Sequence, residues 1–141
     1  MLKQISDYTI FYAALVFECL TSVPFNPAVA TRFINYYNMT LQFQSTLAYL
    51  KDPPEDYQQL PVDVVQVLEQ IQRNVTAGYY KNQYAFEAEL QLLVNQIHDG
   101  HVELSAGIMA AFSFASPYGL VSASVDGEQP PEIYLSGMQI G

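Results

Sequence analysis

Cysteine and basic residues are both scarce in this 141-residue chain, and each scarcity closes off a class of function. Cys19 stands alone, so no internal disulfide and no multi-cysteine zinc site can form. Taken by itself it reads as a small buried hydrophobe, the usual state of an unpaired cysteine. Five Lys+Arg against 14 Asp+Glu leave a net charge of −9, which repels a phosphate backbone and offers few cations for counterion release. No nucleic acid and no membrane partner is expected. The apolar run Ile10 to Phe17 is only eight residues long, whereas a bilayer-spanning helix needs about 20. Asp7 and Glu18 flank it and no small-x-small cleavage site follows, so it reads as a buried helix and not as a clear signal peptide. Internal repeats, low-complexity segments, a G-x-S-x-G elbow and an H-E-x-x-H metal motif are also lacking.

What is present is packing material. Half of the residues are apolar and 11 Tyr with 8 Phe supply bulk, enough for one domain, or a large piece of one, to bury a core without staples. Residues 4 to 21 can form a helix burying Ile10, Ala14, Phe17 and Leu20, stopped by Pro24. Asn26-Pro27 restarts the pattern as N-cap and first helical residue. Val29, Phe33, Tyr36, Tyr37 and Leu41 follow at helical spacing, and Phe43, Leu47 and Leu50 extend the stripe as core until Pro53-Pro54. After the proline-rich loop, Val64, Leu68, Ile71 and Val75 mark a third helix closing near Gly78. Asn82 caps a fourth, whose buried face is Phe86, Leu90, Leu93, Val94 and Ile97. Beyond Gly100 the period moves toward 2, Asp126-Gly127 signals a turn, and Ile133 with Leu135 suggests a last strand. The expected fold is α+β: residues 1–100 a helical N-terminal domain of about four helices, residues 101–141 a short, incomplete antiparallel β region. Uncovered strand edges and apolar surface in that region lead us to expect self-association.

The chemistry gathers at His98-Asp99-Gly100-His101-Val102, a junction between the two patterns. Asp99-Gly100 reads as helix-stop punctuation, with Gly100 in the left-handed conformation, and His98 as a structural cation at the helix C-terminus. His101, past the stop, is a candidate general base, against the plainer reading of a capping cation. His98, Asp99, His101 and Glu103 fit no common metal spacing, so neither metal nor cofactor is expected. Ser105 lies close by but has no elbow around it, and Glu87, Glu89, Asp52, Glu55 and Asp56 read as solvated carboxylates. Asn38-Met39-Thr40 and Asn74-Val75-Thr76 are sequons. In a secreted protein Asn38 and Asn74 would be glycan acceptors, and Cys19 half of a bridge to a cysteine outside this chain.

Three runs add a resemblance: Cys19 to Phe25, Gln42 to Pro54, and His98-Asp99-Gly100-His101 followed by Leu104-Ser105-Ala106-Gly107. Together they resemble the N-terminal region of fungal S41-family serine peptidases, secreted relatives of the tail-specific and chlamydial protease-like-activity-factor enzymes. The resemblance implies that His101 is the catalytic general base. It places the nucleophilic Ser and its Glu partner in a C-terminal peptidase domain that nothing in residues 102–141 matches, with the tail from about Leu120 leading toward a PDZ-like region. The expectation is thus a truncated serine-type peptidase of the secretory pathway, acting on a peptide or protein substrate only with that missing domain. The alternative is a non-catalytic secreted helical interaction module, or a decayed remnant, with no peptidase activity of its own.

Overall fold

The computed structural model describes residues 3–5, 8–104, 107–115 and 118–136, and its fold is α+β. In chain order the elements are β1 (Lys3–Ile5), β2 (Tyr8–Ile10), α1 (Ala13–Ser22), α2 (Pro27–Leu41), α3 (Leu47–Lys51), α4 (Val64–Thr76) and α5 (Gln83–Gln96). A 3-10 helix at Gly107–Ala111 follows, then β3 (Gly119–Ala123) and β4 (Glu132–Ser136). Helices α2, α4 and α5 pack side by side, with α1 against α5 and α3 against α4.

Local chemistry explains where the helices begin. The Asn26 carboxamide oxygen accepts the Val29 N–H at 3.1 Å with Pro27 opening α2, and Asn82 accepts the Ala85 N–H at 2.8 Å at the head of α5. Each cap satisfies a helix N–H that has no carbonyl to bond. Asp63 caps α4 in the same way, accepting the Gln66 N–H at 3.0 Å, and it also takes the Lys51 ammonium at 2.7 Å. The Lys51 hydrogen bond is the largest of the causes holding the Asp63 carboxyl below its ordinary value, and the same contact raises Lys51.

The core is the meeting of two stripes. Val64, Leu68, Ile71 and Val75 of α4 are buried together with Phe86, Leu90, Leu93 and Val94 of α5 and its C-cap Ile97, as the helical spacing predicts. Burying one such side chain stabilises by roughly 1.5–3 kcal/mol. From α2 the buried set is Ala30, Ile34, Tyr37 and Leu41, one step round from the expected aromatic stripe. Phe33 is partly buried and stacks on Tyr37 at 5.5 Å, but Val29 and Tyr36 face solvent and Phe43 is 91% exposed. The stripe also breaks, because residues 42–46 form a turn between α2 and α3 and not a continuous helix.

Three further expectations are corrected. The helix expected over 4–21 is a β1–β2 hairpin followed by a shorter α1, which buries Val16 and Leu20 while Ile10, Ala14 and Phe17 stay exposed. Phe17 sets its ring edge-on against Tyr84 of α5, centroids 5.4 Å apart, yet stays half exposed, and Ala14 lies on the far side of α1 from Val16 and Leu20, the two residues that this helix buries. Beyond Gly100, Gly107–Ala111 form the 3-10 helix and not a strand. The β3–β4 hairpin is antiparallel, pairing Leu120 with Leu135 and Val121 with Tyr134, and all four are exposed, so the period near 2 beyond Gly100 does not set a buried face against a solvent face at these pairs. Its turn is the expected one: Gly127 has φ of 76°, and the Asp126 carboxylate accepts the N–H groups of Glu128 and Gln129, both at 3.0 Å.

Candidate functional site

The site grows from the end of α5. Its last buried residue, Ile97, anchors the chain in the core, and His98 then turns out of the helix with φ of 52°. The left-handed residue that ends α5 is therefore His98 and not Gly100, which lies outside the positive-φ glycines. The reversal falls directly after Ile97, the C-cap of α5, whose own backbone is still helical with φ of −70° and ψ of −25°. The His98 side chain is exposed.

Asp99 turns inward where His98 turned out. Its carboxylate Oδ1 accepts the His101 backbone N–H at 2.9 Å and lies 3.1 Å from His101 Nδ1. The Val102 N–H donates to the Asp99 carbonyl at 3.0 Å, closing the loop. On its other oxygen, Oδ2, Asp99 accepts the Gln44 side-chain amide at 2.8 Å. The His101 N–H, the Gln44 amide and the His101 ring, in that order, hold the Asp99 carboxyl below its ordinary value. The imidazole itself is 98% exposed, and no described residue bonds its Nε2. A neutral ring that donates Nδ1–H to a carboxylate carries its lone pair on Nε2. The His101 ring is thus tied to Asp99 on its Nδ1 side and open to solvent on its Nε2 side.

Beside the pair runs a groove of about 370 Å³ lined by Gln91, Val94, His98, Asp99, Val102 and Leu104 among others. Glu103 is exposed and Ser105 lies outside the described residues. Among the described residues, no three His, Cys, Asp or Glu side chains converge as metal ligands do.

The Asp99–His101 contact went unread in the sequence, where Asp99 served only as a helix stop. An Asp two residues before the His is an available signal, since aspartate bonds the backbone N–H two residues on. Glu87 is also corrected. It is 9% exposed on α5, accepts the Gln83 amide at 2.8 Å and the Met109 N–H at 3.2 Å, and so docks the 3-10 helix on the bundle. A Cβ on Gly107 would overlap that carboxylate, which is why glycine stands there. Glu89, the other supposed solvated carboxylate of α5, is half-buried and accepts the Tyr80 hydroxyl at 2.6 Å. Burial first, then this bond, raises Tyr80 far above its ordinary value.

Cys19 lies exposed on α1, against the buried reading, since the residues that this helix buries are Val16 and Leu20. Both sequons sit within helices: Asn38 on α2 accepts the Gln42 amide at 3.2 Å, and Asn74 on α4 accepts the Gln70 amide at 2.9 Å.

No family model and no solved structure matches the chain. Two curated relatives do: the peptidase S41 family proteins phomP1' and phomP1 of Diaporthe leptostromiformis, 31% and 30% identical over 84 residues. That stretch is 60% of this chain and 13% of the length of each relative. The chain therefore carries a region related to the peptidase S41 family proteins of a fungus.

Proposed function

We propose that this chain presents the general base of a serine-type peptidase site, His101 held by Asp99, to a nucleophile and oxyanion donors carried on another segment. The observation that carries the reading is the 3.1 Å contact of His101 Nδ1 with Asp99, which leaves Nε2 open. An imidazole so placed takes the proton from an attacking hydroxyl and returns it to the leaving amine, while the carboxylate steadies the imidazolium between the two steps. The kinship with peptidase S41 family proteins supports a peptide or protein substrate. In this reading residues 1–100 are the helical domain that mounts the base, and residues 101–141 lead toward the domain that completes the site. Work in the secretory pathway would make glycan acceptors of Asn38 and Asn74 and leave the exposed Cys19 free to pair outside this chain.

The test is peptide hydrolysis by the full-length product of the gene. His101→Ala should abolish turnover and leave stability within about 1 kcal/mol, as for other exposed positions. Absence of hydrolysis in the unaltered protein, or retention of it in His101→Ala, defeats the reading. A second reading, a non-catalytic interaction module, is favoured by one observation: the β3–β4 hairpin exposes Leu120, Val121, Ile133 and Leu135.

A further inference from the structure

We propose that Gln44 is the positioning residue of this site: its side-chain amide, held between Thr46 and Asp99, fixes the carboxylate that in turn fixes the His101 ring. The catalytic consequence rests on His101 being the base, but the geometry does not. Gln44 Nε2 donates to Thr46 Oγ1 at 2.7 Å and to Asp99 Oδ2 at 2.8 Å, which uses both hydrogens of one amide. The opposite orientation would set the amide oxygen against a carboxylate, two acceptors facing each other, so the network dictates which way the group points. Asp99 then has one oxygen for Gln44 and the other for His101, and its plane cannot turn without breaking a bond on one side.

Gln44 is itself well placed. It lies half-buried on the turn between α2 and α3, where its own N–H donates to the Leu41 carbonyl at 2.9 Å and the preceding Phe43 N–H donates to the Thr40 carbonyl at 3.1 Å. Leu41 and Leu50, at either end of this segment, are both buried in the core. A rigid turn 55 residues away in sequence thereby reaches the loop after α5. Without it the Asp99 carboxylate would be tied only to its own loop, through groups two residues away, and that loop could rotate as a unit. Support from behind is what turns a hydrogen-bonded base into a preorganised one. The depressed Asp99 titration agrees, since the Gln44 amide is its second-largest cause.

The experiment uses Gln44→Leu, which removes the donors, and Gln44→Glu, which keeps the shape and reverses the polarity. The backbone bonds of the turn do not involve the side chain, so Gln44→Glu serves if Gln44→Leu fails to fold. In the 141-residue chain, imidazole nitrogen spectra read the tautomers of His101 against those of exposed His98, and carboxyl carbon shifts follow Asp99. The unaltered chain should show His101 enriched in the Nδ1–H form. Both variants should move it toward His98 and raise the Asp99 titration toward the ordinary carboxylate value. In the full-length product kcat should fall about ten- to a hundredfold, the span for loss of an outer hydrogen-bond partner, with KM held. Unchanged His101 and Asp99 spectra in a folded Gln44 variant overturn the positioning role, even where His101→Ala is inactive. Altered spectra beside an active His101→Ala would instead uphold the positioning and remove the base.

Discussion

Among the described residues, His98 is the one non-glycine with positive φ, and its side chain is exposed. A left-handed backbone costs an L residue roughly 1–2 kcal/mol because its Cβ approaches the following carbonyl. Nothing packed is lost by removing that side chain, so His98→Gly should stabilise by about 1 kcal/mol and raise the melting temperature by a few degrees. His98→Gln keeps the Cβ and should stay near the unaltered protein. Thermal unfolding of the two variants side by side decides it; a melting temperature that falls in His98→Gly would show that the ring holds the helix end. The same residue teaches where local signals stop. Asp-Gly was legible as marking the end of α5, but the reversal itself falls one residue ahead of that pair, on His98.

At the scale of elements, three aspartates join one piece of structure to the next. Asp63 caps α4 and meets Lys51 at the end of α3, Asp99 ties the loop after α5 to the α2–α3 turn, and Asp126 builds the β3–β4 turn. All three are depressed from the ordinary value of 3.8. A carboxyl whose folded value lies below its unfolded one lends stability that is complete above the unfolded value and vanishes as pH falls through the folded one. Stability should therefore decline as the solution is acidified below about pH 3.8. Replacing all three by Asn, which still caps helices and turns, should flatten that decline. Chemical unfolding at about pH 5 and about pH 2.5, on either side of the carboxylate range, measures it; an equal loss in both proteins would assign acid sensitivity to other groups.

Across the whole molecule, burial is uneven. The helical part has a continuous core, whereas both faces of the β3–β4 hairpin carry exposed apolar side chains: Leu120, Ile133 and Leu135 on one, Val121 and Tyr134 on the other. A two-stranded ribbon is marginal in water alone, and apolar surface of this kind recruits other chains. We expect concentration-dependent self-association, relieved by Leu120→Lys with Leu135→Glu. These face each other in the register and leave the strand pairing intact. Light scattering over micromolar concentrations tests it, and a constant monomer mass for the unaltered chain rules it out.

Read alone, the sequence determined whatever depends on residues a few positions apart. The Asn26 and Asn82 caps, the α4 and α5 stripes and the Asp126-Gly127 turn all follow from hydrogen bonds and a 3.6-residue period that span a turn or two of chain. His101 was legible as a candidate because an imidazole past a helix stop has few structural duties. Only the tertiary structure decided which faces meet. It left Cys19 and much of α1 exposed, buried Glu87 under the 3-10 helix, and brought Gln44 to Asp99 across 55 residues. The physical reason is that a side chain's partner is set by the packing of whole helices, and no window of local sequence contains that information.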